Sequence, residues 1–258
     1  MTRKKIGLAL SGGGARGFAH VGALKVLASH GIHFDMIAGT SAGSIVGGAL
    51  ASGMSADEIE KMARNVGWLN TLRPSFSLGG LLSSAPMGKM LQSVLPASRF
   101  EDLKIPFTAI AYDIDKGEQV FLKDSGDLIA AIRASCAVPG VFAPIRLGDR
   151  LLVDGGVTSV LPVDAVRAMG ADIVIAIDVL KCGNSFKHSP RTALGIAIRS
   201  AMTLIGASSA AERSRCDCFI EPAIAHIRPD QIKRADEAIR LGEEAALERI
   251  DEIKRLMG

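Results

Sequence analysis

Aromatic side chains are scarce in this chain: nine Phe, one Trp and one Tyr in 258 residues, too few for a base-stacking surface. Charge of one sign is missing too. Lys and Arg total 30 against 27 Asp and Glu, and the net +3 leaves no electrostatic footprint for nucleic acid. Cys136, Cys182, Cys216 and Cys218 form one C-x-C and no C-x-x-C pair, so a four-ligand zinc site would need His226 or distant partners; reduced thiols of a cytoplasmic protein are the simpler reading. The opening "MTRKKIGLAL" has a basic head, but its apolar part runs only about five residues before Ser-Gly-Gly-Gly, too short for a secretory signal. Met36 to Ala56 carries no charge and is long enough on paper to span a bilayer. Its glycines and serines, and a Gly-Thr-Ser-Ala-Gly turn inside it, make it instead a buried strand, a turn and a buried helix. No repeat, low-complexity tract or linker divides the chain, so one domain over 1–258 is expected.

What is present is a succession of strand-glycine-helix units. Lys5–Leu10 reads as a strand ending at glycines, and Arg16–His30 as a helix with Phe18, Val21, Leu24 and Leu27 on one face, stopped by Gly31. A second strand at Phe34–Gly39 feeds a helix from Ala42 to Ser52, and Ser55–Glu58 fits a capping box for a third. Such units predict parallel strands in an α/β layered fold. Trp68–Leu95 shows no clean period and reads either as an irregular covering segment or as an apolar lid. Further on, "IPFTAIAYDI" and "EQVFLK" read as a strand pair, Asp127–Ser135 as a helix, and "FAPIRL" and "RLLVDGG" as a second pair. Val163–Met169 is a short helix and "ADIVIAIDV" a buried parallel strand. After the polar loop "KCGNSFKHSPRT", residues 190–258 are expected to be helical and packed on the same domain: a helix over 191–214, then from Pro229 one long helix with Ile232, Ala235, Ile239, Ala246, Ile250 and Ile253 on its inner face.

Two glycine turns carry the chemistry. Gly12-Gly13-Gly14-Ala15-Arg16-Gly17 satisfies G-x-G-x-x-G after a strand, the dinucleotide pattern, which expects an acidic residue near the end of the next strand. The candidate, Asp35, stands at that strand's start. At its end stands Gly39-Thr40-Ser41-Ala42-Gly43, the G-x-S-x-G spacing of a nucleophile elbow, in which small residues flank a strained serine and the N–H of Ala42 faces the same point. If both turns reach one sheet edge, the N–H groups of Gly13 and Gly14 become an oxyanion hole rather than a phosphate cradle. Ser41 then needs a base. His20, His30 and His33 read as structural or surface residues; His188 and His226 are the two with which a Ser-His-Asp triad could be built, and neither stands at a strand end. Asp154 in "LLVDGG" does stand at one, with Gly155 and Gly156 leaving room for close approach.

Together "GGGARGFAHVGAL", "GTSAGSIVGGAL", "IPFTAIAYD", "AIRASCAVPGVFAPI" and "LVDGGVTSVLPVDAVRAMGADIVIAIDV" resemble the patatin-like phospholipase family, especially its small bacterial members related to the catalytic part of neuropathy target esterase. The resemblance is strongest over residues 5–180. It implies a three-layer α/β/α fold with a central mostly parallel sheet, and a Ser-Asp dyad with Ser41 as nucleophile and Asp154 as base. It also implies an oxyanion hole at Gly12 to Gly14 with Arg16 and Gly17 beside it, and phospholipid or lysophospholipid ester substrates. No cofactor, metal or nucleic acid enters this reading. The chain departs from the family pattern after Asp-Gly-Gly, where Thr158-Ser159-Val160-Leu161-Pro162 lacks the usual Asn before Leu-Pro, and Ser159 replaces only part of an amide's hydrogen bonding.

The expected activity is hydrolysis of lipid carboxylic esters through an acyl-enzyme, at a cytoplasmic location with peripheral contact at the inner membrane surface. Residues 68–95 and Phe142 are expected to line an acyl channel. An acyltransferase using the same nucleophile, a nucleotide-binding protein using the G-x-G-x-x-G loop, and a non-catalytic regulator that keeps the fold remain as alternatives.

Overall fold

In a computed structural model, residues 3–65, 73–74, 80–180 and 192–258 are described. The core is a sheet of eight strands: β1 (Ile6–Leu10), β2 (Met36–Thr40), β5 (Phe107–Asp113), β6 (Glu118–Leu122), β8 (Ile145–Leu147), β9 (Arg150–Asp154), β10 (Ile173–Ile177) and β11 (Cys218–Ile220). Strands β11, β10, β1, β2 and β5 are hydrogen-bonded in that order, each parallel to its neighbour. The β1, β2 and β10 residues are buried throughout, as expected of parallel strands covered on both faces, which explains their unbroken apolar sequences. A second sheet joins β3 (Arg73–Pro74), β4 (Gly80–Ser83) and β7 (Gly140–Phe142).

The register around β5 positions everything that follows. Its residues 107–110 pair with β2 on one side, and residues 109–113 pair with β6 on the other. Residues 111–113 also pair with β9, antiparallel. A strand has only two edges, so β2 and β9 share one edge of β5 and run toward each other end to end. Thr40 stands across from Ile110, and Asp154 across from Ala111.

Most helices cover one face: α1 (Phe18–Ser29), α2 (Ala42–Ala51), α3 (Ala56–Asn65), α4 (Ala85–Val94), α5 (Leu128–Ser135), α8 (Ala235–Leu247) and α9 (Ile250–Met257) contribute to a single large cluster with Leu8, Leu10, Ile37 and Ile175. On the other face, α6 (Val163–Ala168) packs on Ala9, Met36, Ala38, Val174 and Ala176. Helix α7 (Ala193–Arg213) packs on α6 and on the turn after β9.

Three expectations change. The segment after Pro229 is not one helix: a 3-10 turn at Ile232–Arg234 leads into α8, and the chain breaks at Glu248-Arg249 before α9. Ile232, Ala235, Ile239, Ala246, Ile250 and Ile253 nevertheless join the core. Within the stretch read as irregular, Gly80–Ser83 is a strand and Ala85–Val94 a helix with Pro86 in its first turn, a position where the missing N–H costs nothing. Phe142 belongs to β7 in the small sheet, so only Ile145–Leu147 of "FAPIRL" pairs with β9. The remainder of the 68–95 segment, residues 68–72 and 75–79, and the loop 181–191 with Cys182 and His188 lie outside the described residues.

Candidate active site

The elbow is local in origin. Between β2 and α2 the backbone reverses in a single residue, and Ser41 takes φ 52, ψ −121, a costly conformation for a side chain with a Cβ. Gly39 and Gly43 make the turn geometrically possible: a Cβ on Gly39 would strike the Gly43 carbonyl, and one on Gly43 the carbonyls of Leu10 and Ser11. The Ser41 N–H donates to Ser135 Oγ at 2.9 Å, and the Ser41 carbonyl accepts from Ser44 N–H and Ser44 Oγ. Ser135 was not singled out in the sequence; it belongs to α5, and its only signal was its place in "AIRASCAVPG".

The glycine loop lies directly against this turn. A Cβ on Gly12 would sit 3.3 Å from the Ser41 Cβ, and one on Gly17 2.8 Å from the Ala42 Cβ. Its shape comes from far away in the chain. Gly14 has φ +58, and its approach to the Pro229 carbonyl leaves 2.6 Å for a Cβ. Ala15 N–H donates to that same carbonyl at 2.7 Å, and buried Arg16 donates from Nε to the Ile227 carbonyl at 2.6 Å. Arg16 is therefore a strut joining the loop to residues 225–229. One candidate donor drops out. The Gly12 N–H is consumed by the Val160 carbonyl at 2.9 Å, whereas among the described residues no hydrogen bond takes the N–H of Gly13 or Gly14. The N–H of Ala42 is unused by its helix, as first-turn donors are.

Asp154 ends β9 and is 5% exposed. Its Oδ1 accepts from Gly156 N–H at 2.8 Å, while its Oδ2 is buried without a partner of hydrogen-bond geometry. Burial raises its pKa to about 6, against the opposing pull of the Gly156 N–H and the nearby Ser41 hydroxyl. A carboxyl in that range is a far better base near neutral pH than an ordinary aspartate, and its loose contact with the serine is of the kind that tightens when substrate binds. The Cys136 thiol is pushed well above its usual range by burial and by the Asp154 charge, so it stays protonated beside them.

Three of the histidines, His20, His30 and His226, have partners of their own. Buried His20 has Nε2 2.9 Å from the Ser11 carbonyl, beneath the glycine loop, and burial lowers its pKa to about 4. His226 pairs with Glu237 at 2.8 Å, and His30 with the Val26 carbonyl. Asp35, the ribose candidate of the nucleotide reading, accepts from Ile6 N–H and binds Arg3 at the opposite end of the sheet. That carboxylate is committed to closing the N-terminal edge.

An apolar pocket of about 470 Å³, measured out to its open mouth, is lined by Gly14 of the glycine loop and by Ala42, the residue after the serine. It continues between Val46, Ile59, Met62 and Met90. Among the described residues, Met90 is the contribution of the 68–95 segment, and Phe142 does not line the pocket.

The turn after Asp154 is held by a residue that sequence reasoning missed. Glu212 of α7, 5% exposed, accepts from the Ser159 hydroxyl and from Leu161 N–H, the latter at 3.0 Å. It supplies from another element the hydrogen bonding that the departure at 158–162 left open. Burial raises its pKa to about 7, with these two bonds opposing the rise.

Residues 8–167 match the family of patatin-like phospholipases. An uncharacterized NTE family protein of Mycobacterium tuberculosis is 39% identical over 178 residues, covering 68% of this chain and 49% of that protein. The human patatin-like phospholipase domain-containing protein 6 is 34% identical over 189 residues, which is 69% of this chain and 14% of the human one. A protein named lysophospholipase NTE1 from Debaryomyces hansenii is 32% identical over 185 residues, 69% of this chain and 12% of its own. The chain thus spans about half the length of the mycobacterial relative. Among solved structures, VipD from Legionella pneumophila superposes with a TM-score of 0.60 at 16% identity, over 97% of this chain and 67% of that one, a likeness of fold.

Proposed function

The chain belongs to the patatin-like phospholipase family, and from that premise we propose that it is a serine lipid acyl hydrolase acting on the carboxylic esters of phospholipids or lysophospholipids. Ser41 Oγ attacks the ester carbonyl as Asp154 takes its proton, and the carbonyl oxygen becomes an alkoxide facing the N–H groups of Gly13, Gly14 and Ala42. Each such donor contributes about 3–4 kcal/mol to the transition state. Collapse of the adduct breaks the bond to the leaving alcohol, which receives the proton back from Asp154. Water then attacks the acyl-Ser41 ester, losing its proton to Asp154; the acid leaves and Ser41 is reprotonated. The acyl chain runs from the donors into the apolar pocket that Gly14 and Ala42 help to line.

The observation that carries this reading is the end-to-end meeting of β2 and β9 along β5, which sets residues 40 and 154 opposite adjacent residues. A name among the relatives, lysophospholipase, supports the substrate class. Labelling with a fluorophosphonate probe, followed by a panel of lipid esters, tests the proposal. Wild type is expected to label and to release fatty acid, while Ser41→Ala and Asp154→Asn, folded by circular dichroism, lose about 10³-fold or more. Labelling that survives Ser41→Ala would end it. Substrates of this class reside in membranes, and no described helix is long and apolar enough to cross one. The contact we propose is peripheral: the protein should float with phospholipid vesicles, and its absence from the floating fraction would remove that part.

A further inference from the structure

Three consecutive residues after the candidate base each tie a different part of the site. The Ser159 carbonyl accepts from Thr40 Oγ1 at 2.9 Å, one residue before the serine of the elbow. The Val160 carbonyl accepts from Gly12 N–H at 2.9 Å, at the entry to the glycine loop. The Leu161 N–H donates to Glu212 Oε2 at 3.0 Å, and the Ser159 hydroxyl to Glu212 Oε1. The turn that starts at Asp154 is therefore bonded forward to both other segments, and one carboxylate on α7 grips it at two points. Glu212 is buried, and a carboxylate in such a place is costly unless its lone pairs are used. Here both oxygens are used, and both bonds go to this turn.

We propose that Glu212 is a positioning residue for the reaction of Ser41: its grip on Ser159 and Leu161 fixes the spacing between elbow, glycine loop and Asp154. The inference rests on the hydrolase reading above. Glu212 touches neither the serine nor the donors. It acts through two carbonyls, and a displacement near 1 Å at such a remove costs about 100-fold in rate. The charged groups facing it are Arg215, just beyond α7, and Asp164 on α6, which pair with each other at 2.9 Å.

The test counts reactive sites and rate per site separately, on the whole chain, using fluorophosphonate titration and turnover of a lysophospholipid. Glu212→Ala is expected to keep most of its titratable sites while kcat per site and the labelling rate constant both fall about 10- to 100-fold, with KM changed less than about twofold. Glu212→Gln is expected to recover most of that loss, because the amide oxygen accepts from Leu161 N–H and the amide N–H₂ donates to Ser159 Oγ. Fewer titratable sites at an unchanged rate per site would mean mere destabilisation and would overturn the proposal, as would a Gln variant no faster than Ala. If Glu212→Ala does not fold, Ser159→Ala deletes one of the two bonds and is expected to slow turnover per site severalfold; an unchanged rate overturns the inference. A wild type that never labels overturns the hydrolase reading and this inference with it, whereas a labelling wild type matched by its Glu212 variants overturns this inference alone.

Discussion

The elbow at 39–43 and the glycine loop at 12–17 are the same device, a strand running through glycine into a helix, yet they are shaped at opposite ranges. The elbow's turn is shaped by contacts among its own residues and the neighbouring strand, Gly39 against Gly43, Gly43 against Leu10 and Ser44 back to Ser41. Two distant bonds, from Ser41 N–H to Ser135 Oγ and from Thr40 Oγ1 to the Ser159 carbonyl, then fasten it. The glycine loop is closed by carbonyls of residues 227 and 229. A local turn announces itself as a sequence motif. A turn shaped by distant chain reads as an ambiguous glycine run, which is why G-x-G-x-x-G in isolation fits a phosphate cradle as well as an oxyanion hole.

The largest effect should come from breaking the local turn. Gly43→Ala drives a methyl into two backbone carbonyls that have no room to yield, and the expected loss is about 3 kcal/mol or more in urea unfolding, together with all labelling at Ser41. Near-normal stability would show the elbow to be softer than its geometry. Breaking the distant anchorage should do less. Arg16→Ala removes the strut to the Ile227 carbonyl and is expected to cost about 2 kcal/mol, with Ser41 still reactive but slower; equal loss to Gly43→Ala would erase the distinction. Gly14→Ala perturbs the loop and its contact with residue 229, because the added methyl would lie 2.6 Å from the Pro229 carbonyl oxygen. The φ of +58 by itself costs an alanine about 1–2 kcal/mol, and a shifted donor slows labelling about 10-fold or more.

A pH series separates the two turns with the smallest change. Asp154 must be ionised to act as base, and its pKa is raised to about 6 by burial. Labelling should therefore be maximal above that value, half-maximal near it, and fall about tenfold per unit below. The loop donors do not titrate, so Gly14→Ala should lower the whole curve without moving its midpoint. A midpoint that shifts with Gly14→Ala would mean that loop and base are one electrostatic unit.

Legibility followed the same division. The β1–α1 and β2–α2 units, β10 and the hairpin of β5 with β6 were readable because short apolar runs ended at glycines and the helices carried one apolar face. The three-residue strand β11 was not, since Cys218–Ile220 carries no turn signal and exists only through pairing with β10. The break between α8 and α9 was hidden because the apolar positions continue across it in the same core. For the site, Ser41, Asp154 and the glycines stand out as small or acidic residues at strand ends. Ser135 and Glu212 do not, because nothing in a helix sequence reveals that a side chain reaches a backbone group 94 or 51 residues away.

The Arg16 strut makes one turn of the site depend on a remote part of the chain. Its acceptor lies 211 residues further along the chain, so the shape of the glycine loop is complete only when residues 225–229 have docked on it.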